Sequence, residues 1–443
     1  MLKTFPKGGV HPPENKISAG SAIEVLPLPK VVSIPISQHL GAPSTPIVKK
    51  GDKIKVGQAI AQSSGFVSTN IHSSVSGTVK KIDNVTDASG YKRKSVIINV
   101  DGDEWDESID RSPDLKKEFS LSGSDIIQKV LEKGIVGLGG ATFPTHVKLS
   151  VPKGMKAEIL IINGVECEPY LTSDHRLMLE KAEELIVGTQ ILMKALGVKK
   201  AMIGIENNKP DAIEKLNSLA NKNPGIEVYP LKVQYPQGGE KQLIKALINR
   251  EVPSGGLPIA VGAVVHNVGT TLAVYEAIQK NKPLFERVVS LTGKSVSKPA
   301  NYLVRIGTPV TELIDASGGL PEDTGKVING GPMMGKALST LEIPVTKGTS
   351  GILIMPEDES MRRPIQNCIR CARCTVVCPM GLEPYLLMTL AEKAMWEKVE
   401  DNNVMDCIEC GSCSYTCPAD RPLLDYIRLG KTTVSKIMRA RKQ

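Results

Sequence analysis

Eight of the nine cysteines fall in two copies of one spacing, Cys368-x2-Cys371-x2-Cys374-x3-Cys378-Pro379 and Cys407-x2-Cys410-x2-Cys413-x3-Cys417-Pro418. Three thiolates two residues apart wrap one 4Fe-4S cube, while the fourth, followed by a proline that ends the turn, points away and must ligate elsewhere. Zinc favours paired C-x2-C knuckles with four ligands per ion, which is a poorer match to a run of four. A disulfide framework belongs to an oxidising compartment, and the opening MLKTFPKGGVHPPEN has no apolar stretch of the kind that directs secretion.

Such cubes are one-electron stations, and elements must hold them. In two-cluster ferredoxin-like domains the fourth cysteine serves the other cube. That assigns Cys368, Cys371, Cys374 and Cys417 to one cluster, and Cys407, Cys410, Cys413 and Cys378 to the second. Between the copies, LEPYLLMTLAEKAMWEKV carries apolar residues at helical spacing with no strand alternation, which predicts an α-helical two-cluster domain. A wire needs a donor and an acceptor, so the rest of the chain has to supply or engage them.

At 443 residues the chain exceeds what one hydrophobic core fills, so about three or four folding units are expected. Its 41% apolar and 23% charged residues exclude a disordered chain. The longest apolar stretch, Leu257 to Val265, is far short of the about 20 residues that cross a bilayer. The formal charge of +8 is concentrated at the end, where Arg428 to Gln443 holds six Lys or Arg and no acid. This basic tail reads as a solvated tip, with anionic lipid or an acidic partner as the alternative. Only 4% of residues are aromatic and no basic stripe interleaves with them, which argues against nucleic-acid binding.

From about Ser122 to Lys280 helical and strand patterns alternate, the signature of an α/β sheet with loops at its carboxyl edge. Ser124 is positioned to cap a helix running to Lys133, and AEILIING, Ala157 to Gly164, reads as a buried strand. Between them lies GIVGLGGATFPTHVK, with four glycines in the seven residues from Gly134 to Gly140. Without side chains in the way, backbone N–H groups converge there on an anion or a flat ring.

GLGGATFPTHVK resembles the glycine loop of the NADH-binding flavoprotein of respiratory complex I. NGVECEP (Asn163 to Pro169), YPQGGEKQL (Tyr235 to Leu243) and HNVGT (His266 to Thr270) are similar to further motifs of that family, in the same order. The resemblance implies that Gly137, Gly139, Gly140 and Lys148 cradle the phosphate and ring of FMN, with Asn163 and Asn267 hydrogen-bonding the flavin. It places Glu168 and Glu240 on the nicotinamide nucleotide of NAD(H), Glu166 just behind them, and Phe143 and Tyr235 near the rings. The family's loop arginine is Leu138 here, an aspartate is Val165, and a glutamate is Gly239. Cys167 reads as a small buried filler, and His72 and His146 as structural.

With its two clusters and the opening TFPKGGVHPPENK, the whole chain resembles the RnfC family. Its members belong to Rnf complexes, membrane assemblies that couple ferredoxin and NAD oxidoreduction to Na+ or H+ transport. The implied architecture is multidomain α/β. Residues 1–115 form an N-terminal region with a barrel-sandwich domain, related to biotinyl and lipoyl carriers; Gln58 to Val79 holds no lysine, so no prosthetic arm is expected. Residues 120–285 form a Rossmann-like FMN/NADH-binding domain, 286–356 a small β-grasp (SLBB) domain, 360–430 the helical ferredoxin domain with two 4Fe-4S clusters, and 431–443 the basic tail. The implied role is a peripheral electron-transfer subunit of a translocase on the cytoplasmic face of the membrane. Its partners would be integral-membrane and cluster-bearing subunits and NADH, with ferredoxin engaged indirectly. The competing function is a subunit feeding a soluble hydrogenase or bifurcating enzyme.

Overall fold

The computed structural model describes residues 2–441. A short strand β1 (Ile23–Val25) precedes seven strands of two antiparallel sheets: β2 (Val31–Pro35), β3 (Thr45–Pro46), β4 (Lys53–Ile54), β5 (Ala59–Gln62), β6 (Ile71–His72), β7 (Ser76–Thr86) and β8 (Lys92–Gly102). Their orders are β2-β8-β7-β4 and β3-β5-β6. Alternate residues Val32, Ile34, Val96 and Ile98 are fully buried between the sheets, the period of two expected of a strand with one wet face.

The next unit holds α1 (Gly123–Glu132), α2 (Thr145–Leu149), β9 (Ile159–Asn163), α3 (Ser173–Glu180), α4 (Ala182–Leu196), β10 (Ala201–Glu206), α5 (Pro210–Ala220), β11 (Ile226–Leu231), α6 (Glu240–Ile248), β12 (Ala263–Asn267) and α7 (Val268–Gln279). All four strands are parallel, ordered β11-β10-β9-β12. Helices cover both faces, so Leu160, Ile161 and Ile162 are all buried, as an unbroken apolar run in a parallel sheet requires. Ser122, not Ser124, caps α1. It has Asp125 three residues on and forms a reciprocal capping box, whereas Ser124 lies inside the first turn and bonds the Ser122 hydroxyl.

The third unit comprises β13 (Glu286–Thr292), β14 (Ala300–Arg305), α8 (Val310–Ala316), β15 (Thr324–Asn329), β16 (Lys336–Ala337) and β17 (Gly351–Pro356), in one mixed sheet ordered β1-β14-β13-β17-β15-β16. After one turn of helix, α9 (Glu357–Ser360), the rest is helical: α10 (Arg373–Val376), α11 (Pro384–Glu392), α12 (Trp396–Asp401), α13 (Ser412–Tyr415) and α14 (Leu423–Ala440).

The first 25 residues do not stay with the barrel sandwich. Lys3 bridges Leu231, Val10 bridges Tyr235, Gly9 N–H donates to Val377 O at 2.9 Å, and β1 joins the third sheet through β14. The opening segment is a strap that ties the other three units together.

Candidate functional site

The glycine loop lies at the carboxyl edge of the parallel sheet. Gly137 N–H donates to Phe143 O at 2.9 Å and Leu138 N–H to Thr270 Oγ1 at 2.8 Å, closing the loop against the start of α7. Its carbonyls are held from behind by two buried cations of the third unit. Lys347 donates to Gly134 O at 2.7 Å, and Arg287 to Leu138 O at 3.4 Å. Burial lowers the Lys347 ammonium to about 7 and the Arg287 guanidinium to about 10. On the other side, Gly139 and Gly140 are exposed, and a Cβ on Gly140 would meet nothing within 4 Å, whereas one on Gly139 would lie 3.0 Å from Asn267 Cβ. Among the described residues the amides of Gly139, Gly140 and Ala141 find no backbone acceptor. That is a cradle of unspent donors in front of open space, which suits a phosphate and a flat ring.

Lys148, Asn163, Glu240 and Asn267 gather at the same edge. Lys148 Nζ donates to Glu240 Oε1 at 2.6 Å and to Val265 O at 3.0 Å. Asn163 Nδ2 donates to Gly238 O at 2.9 Å, and its Oδ1 accepts from Val165 N at 3.1 Å. Asn267 caps α7, accepting from Gly269 N at 2.8 Å, and gives Nδ2 to Asp174 Oδ2 at 2.6 Å. Asp174 is pushed up to about 7 by burial and by the charge of Glu166. Both asparagines are therefore braced by protein partners, leaving each one amide hydrogen for a ligand. His266, one residue before Asn267, is buried neutral: burial and the Lys148 charge lower it to about 3, and its Nε2 has no protein partner.

Glu166, Glu168 and Tyr235 are directed differently. Glu166 caps α3, accepting from Asp174 N at 2.8 Å and His175 N at 3.1 Å. Glu168 Oε1 accepts from Met333 N at 2.7 Å and Met334 N at 2.9 Å, in the Gly-Gly-Pro-Met-Met turn of the third unit, and burial raises its pKa. The Tyr235 hydroxyl donates to Cys410 O at 2.7 Å, inside the second cysteine motif. Phe143 stays half-buried on the glycine loop.

Lys16, unforeseen in the sequence, runs under this segment and donates to Glu166 O, Glu168 O and Leu171 O at 2.7, 3.0 and 2.8 Å. Nothing local in the sequence marks it, because its partners lie about 150 residues away. Asp174, Arg287 and Lys347 escaped the sequence for the same reason. Cys167 Sγ accepts from Gly238 N at 3.3 Å, and burial raises its thiol well above the usual range. His72 and His146 are buried, with pKa values lowered by desolvation.

The two cysteine motifs have matching backbones. Arg370 and Ala372 are left-handed at φ 56° and 58°, and so are their counterparts Glu409 and Gly411 at 56° and 79°. Each run then enters a one-turn helix, α10 or α13. Cys378 from the first motif lines one cavity with Cys407, Cys410 and Cys413 from the second. Burial raises Cys407 to about 11 and Cys413 to about 12, the charges of Cys410 and Cys378 adding to the latter. Cys374 and Cys417 are also within charge range of each other, while Cys368 and Cys371 are exposed. Four crowded, partly desolvated thiolates are costly alone, and a cationic iron–sulfur core offsets that cost. Among the described residues no three His, Cys, Asp or Glu side chains close around a single ion. A cube spreads its thiolates over separate irons, and Cys378, Cys407, Cys410 and Cys413 around one cavity supply four of them.

The fold and these two centres define a flavin and iron–sulfur electron-transfer protein. Family models agree in chain order: an RnfC barrel sandwich hybrid domain at 3–103, a Nuo51 FMN-binding domain at 130–276, an SLBB domain at 288–337 and a 4Fe-4S dicluster domain at 360–418. The cofactors are FMN and two 4Fe-4S clusters. The chain is 48% identical over 98% of its length to the C component of the proton-translocating ferredoxin:NAD(+) oxidoreductase complex of Clostridium ljungdahlii, covering 94% of that protein. It is 47% identical over 97% of its length to the Na(+)-translocating counterpart of Acetobacterium woodii, covering 96%. The chain belongs to the RnfC family, the C components of ion-translocating ferredoxin:NAD oxidoreductase complexes. Among solved structures, an air-oxidized NAD+-reducing [NiFe]-hydrogenase chain shares the fold with a TM-score of 0.50 and 18% identity, over 71% of this chain and 66% of that one.

Proposed function

We propose that the chain is the peripheral NADH-handling subunit of a membrane-bound Rnf complex of the translocase class. It moves electrons between NAD(H) and cluster-bearing partners, and through them ferredoxin, in a process the assembly couples to Na+ or H+ transport. The observation that carries this reading is the union, in one chain, of the glycine-loop edge with a dicluster domain bonded to it through Tyr235 and Cys410. FMN, when bound, exchanges two electrons with a nicotinamide as hydride and one at a time with a cluster.

The chain's own residues position that exchange. Gly139 and Gly140 leave space and donors for the flavin, Gly137 shapes their loop by bonding Phe143 O, and Lys148 brings positive charge to the flavin phosphate. Asn163 and Asn267 present their remaining amide hydrogens. Glu240, at the first position of α6, is placed to accept from the nicotinamide nucleotide. Glu168 acts from behind by fixing the Met333–Met334 turn. Cys368, Cys371, Cys374 and Cys417 ligate one cube, and Cys407, Cys410, Cys413 and Cys378 the other.

No helix among the described residues is long and apolar enough to cross a membrane. On this reading ion movement belongs to integral-membrane partners, and this subunit sits on the cytoplasmic face. The test is affinity capture of the tagged chain from detergent-solubilised membranes, with flavin, iron and sulfide counted anaerobically. Integral-membrane subunits should co-purify with a flavin- and iron-loaded chain. Capture of a hydrogenase, with no membrane subunit, would overturn the assignment.

A further inference from the structure

The two cluster motifs share a backbone but sit in opposite surroundings. The second is enclosed. Tyr235 bonds Cys410 O, a Cβ on Gly411 would lie 2.7 Å from Met333 O, and Cys410, Gly411, Ser412 and Cys413 are all buried. Its one charged position, Glu409, is neutralised internally by Arg428 at 3.3 Å and Lys431 at 3.1 Å. The first motif faces out, with every residue from Met361 to Arg373 exposed. Where the second motif has Glu409 and Ser412, the first has Arg370 and Arg373, preceded by Arg362 and Arg363, and there is no acid from Met361 to Val376. Among the described residues only Arg362 of these four forms an ion pair, with Asp425. Ile365, Ile369 and Val376 are 58%, 69% and 72% exposed beside them.

We infer that this face, residues 361–376, is the docking surface for an acidic, cluster-bearing electron-transfer protein, and that the cube of Cys368, Cys371, Cys374 and Cys417 is the chain's outer electron port. A cube with four thiolates carries net negative charge, so arginines near it invite the plain explanation that they neutralise it. The second motif argues against this. Its cube has the same charge and matched backbone, yet the equivalent positions hold an acid and a serine. The cations beside it, Arg428 and Lys431, come from α14 and are tied to Glu409 and to Cys407 O, whereas Arg363, Arg370 and Arg373 form no ion pair among the described residues. Unpaired guanidinium groups ringing exposed apolar side chains are the composition of an interface whose rim selects by charge. The reaction at contact is one electron leaving one cluster and entering the other, with no bond or proton exchanged. The inference rests on the electron-transfer reading above and adds the place and the partner's charge.

The experiment uses the anaerobically purified, cofactor-loaded chain and a small acidic two-cluster ferredoxin as probe, with binding measured by calorimetry at low and high salt. Binding should weaken steeply with salt, since the Debye length falls from about 30 Å at about 0.01 M to about 10 Å at about 0.1 M. The double variant Arg370→Glu/Arg373→Glu should weaken it at least about tenfold at low salt and flatten the salt dependence, while Lys222→Glu, an exposed lysine on the flavin unit, should leave it intact. If the double variant fails to assemble its outer cube by iron count, Arg363→Glu, five residues before the first ligand, carries the same test. Unchanged binding in the arginine variants, or an equal loss with Lys222→Glu, would overturn the docking surface. Failure of the loaded wild-type chain to oxidise NADH with ferricyanide would instead count against the electron-transfer reading.

Discussion

Replacing Tyr235 by Phe deletes one oxygen at the junction between the flavin and cluster units and leaves the ring. The residue is 2% exposed and packs beside Val10, Met333, Val377 and Ile408. Its hydroxyl donates to Cys410 O at 2.7 Å, and its pKa is held well above 10.0 by burial and by the Glu168 charge, so it is a donor at every working pH. Removing it strands a buried carbonyl, which costs about 1–3 kcal/mol. If that cost falls on separation of the cluster unit, the opening equilibrium rises about 5- to 150-fold. Tyr235→Ala loses the ring as well, at about 3–5 kcal/mol. Hydrogen exchange on the cofactor-loaded protein reads this directly, in amides of α11 and α14. Faster exchange there, with flavin content and the NADH requirement unchanged in the Phe variant, is the expected result. Unaltered protection would mean that the hydroxyl does not hold the units together. A raised NADH requirement in the Phe variant would mean that the hydroxyl itself serves the nucleotide.

Cys417→Ala should halve the iron content, from about eight to about four per chain, and remove the cube of Cys368, Cys371 and Cys374; iron analysis with EPR checks it, and loss of the other cube would refute crossed ligation. Gly140→Leu should abolish flavin binding without unfolding, because the new side chain enters space where a Cβ meets no protein atom. Flavin fluorescence after denaturation measures this, and full occupancy would move the site elsewhere. Asp174, raised from 3.8 to about 7, binds a proton in the folded state that the unfolded chain has released, so its contribution to stability falls as pH rises from about 4 to about 7. Asp174→Asn should flatten that slope in urea titrations, and a slope identical to the parent's would discount the group.

What the sequence made legible was local. Cysteine spacing, glycine density and the switch from period two to helical period depend on residues within a turn or a strand of each other, and these identified the cluster unit, the glycine loop and the α/β pattern. What it hid was long-range. Lys16 is unremarkable in NKISAG until its three carbonyl acceptors arrive from Glu166, Glu168 and Leu171. Lys347 and Arg287 sit more than 140 residues from the loop carbonyls they bond. A motif assigns Glu168 to the nucleotide, yet the side chain satisfies two amides of a turn 165 residues on, because a motif records which residues recur together and not which neighbour each one faces. The cap at Ser122 was local and recoverable: the Asp three residues later distinguishes it from Ser124.

These long-range contacts answer a physical problem that the two cofactors create. A flavin and a cluster exchange electrons efficiently only if their separation is short and constant, but they sit on folds that share no secondary structure, with the third unit between them in the chain and a stretch without regular structure, between Ser360 and Arg373, leading into the cluster unit. A flexible joint of that length leaves the distance undefined. The chain removes the freedom from three sides. The N-terminal strap bonds Val377 from one edge through Gly9, the tyrosine bonds Cys410 from another, and the Met333 turn, itself clamped by Glu168, closes on Gly411. Two of these contacts fall on the second motif and the third on Val377, next to Cys378, which lines the cavity of the enclosed cysteines; none touches the exposed stretch from Met361 to Arg373. Rigidity is concentrated where electrons must pass within the chain, and the arginine face is left free where they must pass between chains.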